Sequence, residues 1–128
     1  WRAKEALFRG VPGIGPVISR TLIADLPELG QLTHREIASL VGLAPLARDS
    51  GTLKGKRMVF GGRAPVRSAL YMAAVVGVRH NTVIRAFYLR LRERGKPPKV
   101  ALIACAHKLL TILNSMARTG EPWRLEHA

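Results

Sequence analysis

Acidic residues are scarce in this chain: eight Asp and Glu stand against 21 Lys and Arg, a formal net charge of +13 in 128 residues. That balance favours a polyanion as the natural partner, nucleic acid first. The acids, Glu5, Asp25, Glu28, Glu36, Asp49, Glu93, Glu121 and Glu126, are also scattered, so they offer no converging set for two-metal hydrolysis. Cysteine is limited to Cys105, which excludes a disulfide framework and a Cys-rich zinc site and makes a reducing cytoplasm the expectation. No pair among His34, His80 and His107 has metal-ligand spacing. No apolar run reaches the roughly 20 residues of a membrane span, and Arg2 and Lys4 are not followed by a signal-peptide core. A soluble, cytoplasmic protein without a membrane partner is expected. The numbering starts at Trp1 with no initiating Met, so an excised domain is expected, with part of the function upstream.

What is present is a hydrophobic content of 48%, enough for one core and one domain over 1–128. Helical periodicity at Trp1 to Arg9 and Pro16 to Leu26 flanks Val11-Pro12-Gly13-Ile14-Gly15, so Gly13 and Gly15 must turn one helix into the next. This is the sequence form of a helix-hairpin-helix, about 1–30. Thr33 and Glu36 match a capping box that opens a third helix, about 34 to 41, closed by Gly42. From 43 to 63 the period fails, and Pro45, Gly51, Gly55, Gly61 and Gly62 mark a long basic loop in which Met58-Val59-Phe60 is compatible with a short strand or hairpin arm.

The helical remainder, 64–118, divides at Asn81 and at Gly95. Val66, Ala69, Leu70, Ala73 and Val76 form a buried stripe on the first segment, and Val83, Ile84, Phe87, Tyr88 and Leu91 on the second. The last and longest helix, Lys99 to Arg118, is apolar over much of its circumference through Val100, Ile103, Ala104, His107, Leu110, Ile112 and Leu113. A tail follows, 119–128. The expected fold is all-α, about six helices with one long basic loop.

Two places carry candidate chemistry. Gly13 and Gly15 let backbone N–H groups at a helix start approach a phosphate, although a purely structural turn has the same sequence. In the loop, Ser50 lies in Arg48-Asp49-Ser50-Gly51, and a serine can attack a phosphodiester if cations stabilise the phosphorane. Lys54, Lys56, Arg57, Arg63 and Arg67 could supply that charge. Loop composition alone reads Asp-Ser-Gly as a routine turn. The arginines from Arg79 to Arg94 fit a solvated face and a nucleic-acid face equally well.

The motifs together are more specific. Val11-Pro12-Gly13-Ile14-Gly15-Pro16, Val41-Gly42-Leu43-Ala44-Pro45, Asp49-Ser50-Gly51, Gly61-Gly62-Arg63, Val66-Arg67-Ser68-Ala69-Leu70-Tyr71-Met72-Ala73-Ala74 and Pro122-Trp123-Arg124, in that order, resemble one family over nearly the whole chain. It is the C-terminal transposase domain of insertion-sequence transposases related to the Piv-type DNA invertases, the bridge-RNA-guided recombinases. The resemblance implies cleavage and rejoining of DNA strands during insertion-sequence movement, with Ser50 at the family's Ser-Gly position as nucleophile. It also implies a RuvC-like N-terminal domain holding Mg2+ on four acids, no cofactor in this domain, a guide RNA and a homo-oligomer. Many members carry a Lys-Arg-Gly-Asn type segment where this chain has Phe60-Gly61-Gly62-Arg63. The rival readings are a non-catalytic helix-hairpin-helix module that binds nucleic acid for a partner enzyme, and a structural RNA-binding protein.

Overall fold

A computed structural model describes residues 2–43 and 63–125. Six helices follow in order: α1 (Arg2–Arg9), α2 (Pro16–Asp25), α3 (His34–Val41), α4 (Ala64–His80), α5 (Thr82–Glu93) and α6 (Pro98–Thr119). No strand occurs among the described residues, and the fold is all-α. The expected short strand at Met58-Val59-Phe60 lies outside them.

Local signals set the boundaries. Pro16, Pro65 and Pro98 occupy first-turn positions, where a missing N–H costs nothing. Thr33 Oγ1 accepts from the Glu36 amide at 3.1 Å while Glu36 Oε1 accepts from the Thr33 amide at 3.0 Å, closing the capping box of α3. Gly42 and Gly120 end α3 and α6 in the left-handed region, at φ +91° and +75°.

The core is built around α4 and α6, which pack on each other and between them reach every other helix. α6 contributes Ala101, Cys105, Ala106, Leu109, Leu110, Ile112, Leu113 and Met116 to the interior. Truncating one of its fully buried leucines to alanine is expected to cost about 2–5 kcal/mol. By length and composition α6 could cross a bilayer, contrary to the expectation that no run is long enough. Half of that stretch is buried among the other helices, and packing against α1, α3, α4 and α5 accounts for its apolar character.

Three expected core positions, Val76, Val100 and Ile103, face outward, and so does Val17, 75% exposed at the start of α2. Val100 and Ile103 line an open groove with Tyr71, Met72 and Phe87, rimmed by Lys96, Lys99 and Lys108. In their place Ala74 and Gly77 complete the inner face of α4, and three polar residues, Ser19, Asn81 and Asn114, are buried. Each of the three is hydrogen-bonded, as burial of a polar group demands.

Candidate nucleic-acid interface

The turn between α1 and α2 is held from below. Gly13 has φ +107°, and a Cβ there would meet the Ala73 carbonyl oxygen at 3.0 Å and Gly77 Cα at 3.2 Å. Its lack of a side chain therefore serves close packing on α4 as well as the left-handed conformation. Gly15 is different. It is the N-cap of α2 in extended conformation, and a Cβ there would meet nothing within 4 Å. The solvent side of this turn is the Gly15 side, where α2 starts without a side-chain cap. The two glycines, equivalent in sequence, divide into a packing position and an open one.

Asn81 fixes the other flank. Its Oδ1 accepts from the amides of Val83 and Ile84 at 3.1 and 3.2 Å, capping α5, and its Nδ2 donates to the Pro12 carbonyl at 3.1 Å. The cap was legible in the sequence. The bond to Pro12, 69 residues away, had no local signal.

Arg63 and Arg67 stand at the opposite end of α4, about 25 Å away along a helix of 17 residues. The Arg63 guanidinium grips Glu28 with two bonds, Nη1 to Oε1 at 2.5 Å and Nη2 to Oε2 at 2.8 Å, and also donates to the Asp25 carbonyl at the end of α2. The bonded guanidinium holds the Glu28 carboxyl below its ordinary value. Arg67 Nη1 donates to the Val41 carbonyl at 3.0 Å, at the end of α3. Both cations thus sit on C-terminal carbonyls, where the helix dipole favours positive charge. Ser50, Lys54, Lys56 and Arg57 lie outside the described residues.

A second polar cluster ties the α2–α3 connection to α6. Gly30 N–H donates to Asn114 Oδ1 at 2.7 Å, which fixes the amide orientation, so Asn114 Nδ2 donates to the Leu32 carbonyl and to His34 Nδ1. Burial pushes the neighbouring His107 imidazole below its usual value, and His34 adds to the effect. Desolvation raises the Cys105 thiol to about 11, the opposite of what an attacking cysteine requires. Among the described residues no group of three His, Cys, Asp or Glu could hold a metal.

Comparison with known proteins decides the family. Residues 5–89 match the family model of the Transposase IS116/IS110/IS902 family. The chain belongs to that transposase family. It is 32% identical over 124 residues to the pilin gene-inverting protein of Moraxella bovis, covering 94% of this chain and 38% of that protein. It is 30% identical over 116 residues to the uncharacterized 43.6 kDa protein of insertion element IS110 of Streptomyces coelicolor, covering 89% and 29%. To the uncharacterized 42 kDa protein of insertion element IS900 of Mycobacterium paratuberculosis it is 32% identical over 118 residues, covering 88% and 29%. The chain thus spans about a third of the length of these relatives. The family match runs from within α1 into α5, including both glycines of the turn and Asn81.

Proposed function

We propose that this chain is the DNA-engaging, serine-bearing part of a transposase or recombinase that cuts and rejoins DNA strands during insertion-sequence movement. The observation that carries this reading is the likeness, over nearly the whole chain, to proteins of insertion elements and to a gene-inverting protein. The formal charge of +13 supports a polyanionic substrate.

On this reading Ser50 Oγ attacks the scissile phosphorus. A phosphoserine ester forms, the P–O bond to the departing strand breaks, and that strand leaves as a hydroxyl carrying a proton. Rejoining is the reverse: a strand hydroxyl attacks the phosphoserine, and the serine recovers its proton. Bond energy is conserved in the covalent link, so no external energy source is needed. Lys54, Lys56 and Arg57 supply cations to the developing phosphorane charge. Arg63 and Arg67 contribute through their hold on α2 and α3, positioning the two ends of the 43–63 connection.

The described acids do not fit a magnesium site. Glu28 is paired with Arg63, Glu5 with Arg20 and Glu121 with Arg124, Glu36 closes a capping box, and Asp25 and Glu93 belong to no cluster of three potential ligands. Magnesium belongs in this proposal to the acids of a RuvC-like N-terminal domain, with guide RNA and a second subunit as further partners. The Gly13–Gly15 turn then acts as a helix-hairpin-helix phosphate contact through its open, Gly15 side.

The deciding experiment uses the longer protein that contains this chain. Ser50→Ala is expected to abolish denaturation-resistant protein–DNA adducts, and adducts that persist would remove Ser50 from the mechanism. The 128-residue chain alone is expected to bind DNA without cutting it. If about six phosphates are contacted, log affinity falls with a slope of roughly −5 against log salt. A non-catalytic binding module would show the same slope, but the longer protein would then form no adduct even with Ser50 intact.

A further inference from the structure

From residue 79 to residue 99 the chain holds seven Lys and Arg against one acid, Glu93. Among the described residues none of these seven is paired with a carboxylate. Repulsion between like charges at helical spacing, Arg90 with Arg94 for example, opposes this arrangement within the fold. Lys96 and Lys99 sit beside the start of α6, where a cation also opposes the helix dipole. The dipole favours Arg79, Arg90 and Arg92, in the last turns of α4 and α5, but not Lys96 and Lys99, so helix stability accounts for only part of this concentration of charge.

The structure places one end of it against the α1–α2 turn. Pro12 accepts from Asn81, and Gly13 lies on Gly77, so the α4–α5 corner carrying Arg79 is the immediate neighbour of the turn. Arg85, Leu89 and Arg92 then follow at i, i+4 and i+7 on the exposed face of α5, a helix about 18 Å long. Two of these cations are held in place. Arg85 donates from Nε to the Val78 carbonyl at 2.9 Å and from Nη2 to the Arg79 carbonyl, and Arg92 Nη1 donates to the Lys96 carbonyl at 2.8 Å. Each uses only part of a five-donor fork and leaves other N–H groups for a partner.

From this arrangement we infer that Arg79, Arg85, Arg92 and Lys96 form a track for the phosphate backbone of duplex DNA, continuous with the Gly15 side of the α1–α2 turn. It rests on the DNA-engaging reading and specifies where that engagement occurs. Arg63 and Arg67, at the far end of α4, lie outside the track. The α5 face that carries the row is about 18 Å long, roughly half a turn of a duplex whose repeat is about 34 Å. The single exposed leucine between the arginines is too little apolar surface for a protein anchor.

The test compares salt dependence on a short duplex DNA of random sequence. Arg79→Ala with Lys96→Ala removes two side chains that make no hydrogen bond in the structure, and thermal unfolding confirms that the fold is retained. The slope of log affinity against log salt is expected to become shallower by about 0.9 per residue, about 1.8 for the pair. Arg35→Ala, on α3, is the control and should leave it unchanged. A wild-type slope retained by the double variant, an equal change in the control, or a loss confined to a folded RNA would each overturn the track. Absence of salt-dependent DNA binding by the wild-type chain would instead overturn the DNA-engaging reading itself, and the track with it.

Discussion

Asn81 joins α5 to the α1–α2 turn: the Oδ1 of its buried amide caps α5, and its Nδ2 donates to the Pro12 carbonyl at 3.1 Å. A single side chain thus sets both the α4–α5 corner and the seat of the α1–α2 turn. Asn81→Ala is expected to cost about 2 kcal/mol, roughly half from the lost cap and half from the buried carbonyl left unpaired. Urea unfolding measures this directly. Asn81→Asp keeps the acceptor but cannot donate to Pro12, and should retain the cap share of the stability. If both variants were as stable as wild type, the joining role would be wrong.

The two glycines of the turn should separate stability from binding. Gly13→Ala faces positive φ and the α4 backbone together and should destabilise by about 1–3 kcal/mol. Gly15→Asp has room and a suitable backbone, and it adds both a cap and a negative charge at a helix start. It should stabilise by about 1 kcal/mol. The same charge should repel phosphate and weaken DNA binding at low salt. A Gly15→Asp variant that binds DNA like wild type would leave the turn as a structural corner only.

His107 should impose a pH dependence on stability. Its native imidazole resists protonation because it is half-buried and feels the charge of His34, whereas in the unfolded chain it takes a proton near pH 6.5. The unfolded state therefore binds more protons below that pH. The contribution is present above about pH 6.5 and is lost as pH falls toward the lowered native value. Urea midpoints at pH 7.5, 6.5 and 5.5 should decline, and His107→Gln should flatten the decline. An identical slope in that variant would assign the effect elsewhere.

The helices were legible because their ends are written locally. Pro16, the Thr33 and Glu36 pair, Asn81, Pro98 and Gly120 each act within one turn, and all six helices begin and end within a residue or two of expectation. Which face is buried was less legible, because it depends on what packs nearby. Val17, Val76, Val100 and Ile103 fit the helical period yet face outward, while Asn114 was drawn inward by Gly30, Leu32 and His34. A backbone approach as close as Gly30 on Ala117 requires both segments to be in place before it has any meaning. For the candidate site, sequence order gave the turn and the cations but not their grouping. It set Arg63 and Arg67 beside the loop, and the structure adds that their guanidinium groups rest on helix ends, at the Asp25 and Val41 carbonyls; it left the Arg79 to Arg94 face without a neighbour. Ser50, Lys54, Lys56 and Arg57 fall outside the described residues.

Arg67 on the Val41 carbonyl and Arg63 on Glu28 have an evolutionary consequence. They fasten the stem on either side of the 44–62 connection to the helices from beneath, so the scaffold does not depend on what that connection contains. As a general rule, doubling the length of a connection whose ends are held adds only about 0.6 kcal/mol of closure entropy. A change of sequence within 44–62 would leave both anchors, Arg63 on Glu28 and Arg67 on the Val41 carbonyl, in place. Chemistry and architecture are free to diverge at different rates within one chain.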